Sequence, residues 1–320
     1  MYVLSIFFAS FPGSSKTVSL IHVIISASRR TDIPAFYSAW FMNRIREGSC
    51  LVVNPYNPAQ TSRIALNPEA VDAVVFWTRD PLPLLPHLDE LERRGYPSVF
   101  LFTLLDYPPL LEPRAPSLRH RIDGFQRLSD NIGPPRVIWR YDPIVLSNLT
   151  GPSYHADRYA KIARALEGYS TRCIVSILDV YRKVRRGLEP AFRTGFRLLD
   201  QESMSRAIEE LTPDLAQAAK SHGFTVQSCA EKRDLATHGV PPGACIDAAY
   251  LQELFGISVS SRKDPSQRKL CRCAVSRDIG AYDTCPYGCL YCYAVSSPAR
   301  AAANRRRMRS DSPSLLPPPA

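Results

Sequence analysis

Residues 73–78 read "AVVFWT" and run straight into Arg79 and Asp80. The run is nearly continuous in hydrophobicity up to Thr78, which is how a strand reads when both faces are covered, the situation of a strand inside a parallel sheet flanked by helices. The same pattern returns along the chain in "HVIISAS" (22–28), "CLVVN" (50–54), "VFLFTLL" (99–105), "RVIWRYD" (136–142), "RCIVSILD" (172–179) and "TVQSCAE" (225–231). Each run is short, rich in β-branched and aromatic residues, and too brief to be a buried helix.

Helix-like segments separate these runs. After Asp32, Pro34 suits a first helical turn, Trp40, Phe41 and Ile45 form an apolar stripe, and Gly48 stops it. "PLLPHLDELERRG" (83–95) and "TPDLAQAAKSHG" (212–223) also end on glycine. Alternating strands and helices imply right-handed crossovers and one continuous sheet. The expectation is an α/β protein with a TIM-like (β/α) barrel, complete or partial, over residues 23–256. Residues 257–296 form a cysteine-rich segment expected to pack over the barrel mouth. Residues 1–22 are read as a poorly ordered extension, and 297–320 as a disordered tail on account of its arginines and prolines.

Composition narrows the function classes. No apolar run reaches the roughly 18 residues that a membrane helix needs, so no membrane partner is expected. The apolar N-terminus lacks a charged region before it and a small-residue cleavage site, which argues against export. Seven of the nine cysteines fall between 229 and 292 in C-x-C and C-x3-C-x2-C spacings, a pattern of thiolate metal ligands in a reducing cytoplasm. The net charge of +10 raises a nucleic-acid reading, although much of it sits in Arg300, Arg305, Arg306, Arg307 and Arg309 of the tail. No G-x-G-x-x-G, phosphate-binding loop, H-E-x-x-H or G-x-S-x-G motif is present, and Cys50 and Cys173 fall in core-like strands.

The apolar runs finish in polar groups: Ser26, Ser28, Arg29, Arg30 and Asp32 after the first, Arg79 after "AVVFWT", Arg140 and Asp142 after the fifth. In a β/α barrel the C-terminal ends of the strands converge on one mouth. Arg29, Arg30, Asp32, Arg140 and Asp142 are therefore the candidates for contacts to a polar or anionic substrate, with arginine offering paired donors.

"TCPYGCLYCYA" (284–294) puts Cys285, Cys289 and Cys292 on one short loop, with Pro286 and Gly288 supplying the turn. Clusters held only by protein use four cysteines, so three leave one metal position open for chemistry, as catalytic zinc sites do. Cys229, Cys245, Cys271 and Cys273 can complete a second site, either zinc or a second iron–sulfur cluster, or two of them are buried apolar residues.

The C-x3-C-x2-C spacing with Tyr291 before its last cysteine resembles the cluster motif of radical S-adenosylmethionine enzymes. The resemblance implies a [4Fe–4S] cluster on Cys285, Cys289 and Cys292, S-adenosylmethionine on its open iron, and Tyr291 near the adenine. It also implies an electron donor such as a ferredoxin or flavodoxin. In those enzymes the motif follows the first barrel strand, whereas here it follows the last βα unit. Either the barrel is permuted or a C-terminal segment folds back over the mouth. From "IISASRRTDIPAFYSAWFMNRIREG" (24–48) through "VIWRYDPI" (137–144) to "CAVSRDIGAYDTCPYGCLYCYA" (273–294), the chain resembles the bacterial family catalogued as domain of unknown function 1848. That family's C-terminal cysteine cluster is noted for the same likeness, and it supplies no substrate. The competing reading is a zinc-stapled binding protein without catalysis, its basic surface holding nucleic acid. A radical enzyme acting on nucleic acid joins the two.

Overall fold

The computed structural model describes residues 22–316. Ten strands and nine α-helices run through them. In chain order these are β1 Val23–Ala27, α1 Ile33–Phe36, α2 Ser38–Glu47, β2 Ser49–Asn54, β3 Asn57–Ala65 and β4 Val71–Thr78. Next come α3 Leu88–Arg93, β5 Ser98–Thr103, α4 Leu118–Ile132, β6 Val137–Ile144, α5 Pro152–Ala165 and β7 Arg172–Ile177. The chain then forms α6 Arg182–Phe192, α7 Gln201–Ser221, β8 Thr225–Cys229, β9 Pro242–Gly243, α8 Ala248–Phe255, β10 Ser276–Asp278 and α9 Pro298–Arg307.

Eight strands make one parallel sheet in the order β10-β1-β4-β5-β6-β7-β8-β9, curled into a half-barrel and flanked by helices. The barrel is thus the partial form, open between β9 and β10. The alternation of side chains explains the continuous apolar runs. Along β4, Ala73, Val75 and Trp77 join Ile24, Val99, Leu101, Ile138 and Ile174 inside the half-barrel. Val74 and Phe76 point the other way, with Phe100, Phe102, Trp139 and Val175, into the layer under the helices. Both faces are dry, so a one-residue slip would exchange two apolar sets and gain nothing; the strand ends and the helices must fix the register. Phe76 stacks on Phe100 with centroids 4.6 Å apart, and Trp139 stacks on Tyr159 at 4.5 Å, which ties neighbouring strands and α5 into that outer layer.

Two expectations need correction. "CLVVN" is a strand but not a barrel strand: β2 pairs with β3, in an antiparallel hairpin whose second strand is largely exposed. Its place in the sheet is taken by β9 and β10, two short polar strands. The tail from 297 is ordered through residue 316. Ser297 caps α9 by accepting the Arg300 N–H, and Arg305, Arg306 and Arg307 occupy its last turn, where cations complement the helix dipole. Beyond it the Trp40 indole N–H donates to the Ser312 carbonyl at 2.9 Å and the Leu51 N–H to that of Pro313 at 2.7 Å. Ala301 and Leu315 are fully buried. The segment read as an extension, residues 1–22, lies outside the described residues apart from His22.

Topology sets which strand the cysteine loop follows. β10 pairs with β1, so the loop at 285–292 leaves the edge strand that stands first in space. The order of strands around the half-barrel is a permutation of their order along the chain.

Candidate metal centre

One cavity of about 640 Å³ occupies the C-terminal ends of the strands. Arg29, Arg30, Asp32, Arg140, Asp142 and Tyr291 all line it, as do Cys285, Cys289 and Cys292 on one side and Cys229, Cys245, Cys271 and Cys273 on another. The volume falls in the range of small-molecule sites.

The polar wall is built around Asp278, at the end of β10. Its carboxylate accepts from Ser26 Oγ (2.9 Å), Ser28 Oγ (2.7 Å), the Arg29 N–H (2.7 Å) and Arg30 Nε (3.0 Å). Burial opposes its charge, yet the Arg30 guanidinium and the hydroxyl of Ser28 hold it below the ordinary carboxylate range. This hub needs room that only glycine leaves: a Cβ on Gly280 would fall 2.0 Å from Ser28 Oγ.

The sequence candidates have unequal freedom. Asp32 is fully engaged. Its Oδ1 caps α1 by accepting the Ala35 N–H (3.0 Å) and takes the Thr78 hydroxyl (2.8 Å), while Oδ2 takes the Arg79 N–H (2.7 Å). Burial still pushes its pKa up to about 7. Arg30 is paired with Asp278 at 3.0 Å. Arg140 pairs with Asp142, which also accepts from Ser176 Oγ. Arg29 and Arg140 lie over the Trp77 ring, 5.2 and 4.6 Å from its centroid. Arg29 Nη2 and Arg140 Nε are buried without a hydrogen-bond partner among the described residues, so both guanidiniums keep a donor to spare.

The three-cysteine loop is held from several sides. Gly288 adopts φ 70°, a left-handed turn that suits glycine. The Leu290 N–H donates to the Leu111 carbonyl (3.0 Å), and Tyr37 Oη donates to the Thr284 carbonyl (2.6 Å). Tyr293 Oη, next to Cys292, donates to the Arg29 carbonyl at 2.7 Å, joining the loop to the polar wall. The Ala294 N–H reaches Cys292 Sγ at 3.3 Å. Burial pushes the thiols up, that of Cys289 to about 12, so three protons must leave when a metal centre is taken. Tyr291 is buried, with its ring edge-on to Tyr107 at 5.6 Å and its hydroxyl donating to Glu112.

The other cysteines form a tighter group. Among the described residues Cys229, Cys245 and Cys273 are the set whose ligand atoms all lie within 4.8 Å of one another, and they are buried and can hold a metal ion. Cys229 and Cys245 sulfurs are 3.3 Å apart. Thiol donors from Cys229, Cys245 and Cys271 draw Cys273 well below the usual thiol range. Cys50 and Cys173 are buried in the strand core.

Glu112, Asp278 and Tyr293 escaped the sequence reading. Glu112 sits in "LLEPRAP", a loop with no periodicity, and Asp278 in a three-residue strand too short to register. Trp77 was legible only as core, because its strand is apolar throughout.

No helix among the described residues is long and apolar enough to cross a membrane. No curated protein and no solved structure matches the chain. A family model, described as a domain of unknown function (DUF1848), matches residues 24–294, and the chain belongs to that family.

Proposed function

We propose that the protein is an iron–sulfur enzyme of the radical S-adenosylmethionine type, acting on a small polar or anionic substrate. The observation that carries this reading is the position of the C-x3-C-x2-C loop. It leaves the spatially first strand of a parallel half-barrel, and its three cysteines line the same cavity as Arg29, Arg140 and Asp142. The resemblance puts the motif after the first barrel strand, and a permuted chain order is how this chain would meet that.

The donor set fits the group. Three thiols on one turning loop leave a fourth iron without a protein ligand, and the Ala294 N–H directed at Cys292 Sγ is a hydrogen bond of the kind that tunes such clusters. A [4Fe–4S] cluster held by Cys285, Cys289 and Cys292 with S-adenosylmethionine on its open iron would supply one-electron cleavage of a sulfonium carbon–sulfur bond. The chain's own residues do the rest. Arg29 and Arg140, spread over Trp77, present cationic donors to a carboxylate or phosphate; Asp142 and Ser176 fix the angle of Arg140. The buried walls keep water from the reacting atoms. The electron comes from an external donor of the ferredoxin or flavodoxin class, and a reducing cytoplasm keeps the free thiols available. Tyr291 serves by anchoring the loop, and its ring borders the space proposed for the adenine.

The test is anaerobic reconstitution with iron and sulfide, followed by dithionite and S-adenosylmethionine, reading 5′-deoxyadenosine. Wild type should form it and Cys289→Ala should not. Product undiminished in Cys289→Ala, or a wild-type protein that takes up no iron on the loop, would overturn the reading.

A further inference from the structure

The half-barrel has an open side, and something must hold it. β9 and β10 are the two edge strands, and they do not pair with each other. What faces across the gap is sulfur. Cys229 ends β8, Cys245 follows β9 by two residues, and Cys271 and Cys273 precede β10. Two bonds cross the same gap: the Ala274 N–H donates to the Ile246 carbonyl at 2.9 Å, and the Ile246 N–H reaches Cys273 Sγ at 3.4 Å. A span of chain from 244 to 246 and another from 271 to 274 are thus drawn together around four thiols, where a closed barrel would have a strand ladder.

We propose that Cys229, Cys245, Cys271 and Cys273 bind one tetrahedral divalent ion of the zinc class, which closes the seam of the half-barrel. Spacing selects the kind of centre. Four sulfurs ~2.3 Å from one ion stand about 3.8 Å apart. Cys229 and Cys245 are 3.3 Å apart, and with Cys273 all three sulfurs fit within 4.8 Å. A four-iron cubane would spread its thiolates wider than this. Cys271 stands at the edge of the group, its sulfur accepting the Cys273 N–H at 3.5 Å, and it is the fourth ligand of the proposed site. Four thiolates leave no open position, so the ion is structural rather than reactive. As thiolates around an ion the four place buried negative charge side by side; the divalent ion offsets two of those charges, and the Arg29 guanidinium stands beside Cys273.

The site stands whether or not the C-x3-C-x2-C loop carries a cluster, and the experiment separates the two. The full chain is purified anaerobically and its metals are measured, with zinc-edge X-ray absorption on the wild type. One zinc per chain is expected, with four sulfurs at ~2.3 Å in its first shell. The Cys285→Ala/Cys289→Ala/Cys292→Ala variant should keep that zinc while losing loop iron. Cys271→Ser/Cys273→Ser should lose the zinc and melt lower; should it fail to fold, the wild-type absorption spectrum still decides. A zinc shell containing nitrogen or oxygen, iron in place of zinc at this set, or a mass deficit marking disulfides among these four cysteines would each overturn the proposal.

Discussion

Arg79 and Tyr291, 212 positions apart in sequence, share a hydrogen bond of 2.8 Å from the guanidinium Nη2 to the phenol oxygen. Arg79 Nη1 donates to Glu112 Oε1 at 2.7 Å, and the Tyr291 hydroxyl donates to the same oxygen. A second guanidinium, that of Arg121, stands 3.6 Å from Glu112 Oε2. All four residues are buried. The end of β4 thus grips the middle of the cysteine loop through one carboxylate that serves two arginines.

This triangle predicts unequal costs. Glu112→Gln leaves two buried cations without their counter-charge, a loss of about 3–5 kcal/mol. Tyr291→Phe removes one hydroxyl and should lose about 1–2 kcal/mol. Because the two share an oxygen, the double variant should depart from additivity by at least ~0.5 kcal/mol. Denaturant titration of the three variants checks this. Additive losses of equal size would mean that the carboxylate is not the hub.

Helix α6 presses on the same loop through a residue chosen for its lack of a side chain. A Cβ on Gly187 would lie 2.3 Å from the Leu290 carbonyl oxygen, a backbone atom that cannot rotate away. In an ordinary helix interior, Gly→Ala stabilises by roughly 0.5–1 kcal/mol. Gly187→Ala is expected to reverse that sign, lower the melting temperature, and reduce the iron that the loop takes up on reconstitution. A variant that melts at or above the wild type with full iron uptake would show that α6 does not bear on the loop.

How far the sequence foretold all this depends on which physical signal each element carries. The six long barrel strands were readable because burial on both faces leaves an apolar run with no helical period, as in "AVVFWT" and "VFLFTLL". The edge strands were not. β9 is Pro242–Gly243 and β10 is "SRD", and an edge position asks little of side chains beyond a few backbone bonds. "CLVVN" misled for the converse reason: its apolar residues cover α2 and the folded-back tail, so it has strand chemistry without membership in the sheet. The tail itself reads as disorder from its prolines and arginines. Its order comes from tertiary contacts, with Asn304 Nδ2 donating to the Asp283 carbonyl and Arg305 resting on the Phe36 and Tyr37 rings. In the site, the cysteines and strand-end arginines were visible by type and spacing. The carboxylates that organise them, Glu112 and Asp278, sit in segments without a pattern, and only the folded chain brings them in.

His155 provides a pH test that is free of the metal sites. It lies buried in α5, with Nδ1 hydrogen-bonded to the Tyr141 hydroxyl at 2.9 Å and Nε2 to the Val145 carbonyl at 3.1 Å. The carbonyl requires a proton on Nε2, so Nδ1 accepts and the ring is neutral. Burial lowers its pKa from 6.5 to about 4. Between those values the unfolded chain binds the proton and the folded one does not, so stability falls as the solution is acidified through this window. The contribution is whole above about pH 6.5 and is lost toward pH 4, a span of about 3 kcal/mol. His155→Gln removes the titration, so its stability deficit against the wild type should shrink as pH falls from 7 to 4.5. Unfolding free energies of both proteins at matched pH give the comparison. A deficit that stays constant across that range would mean that His155 titrates alike in the folded and unfolded chains.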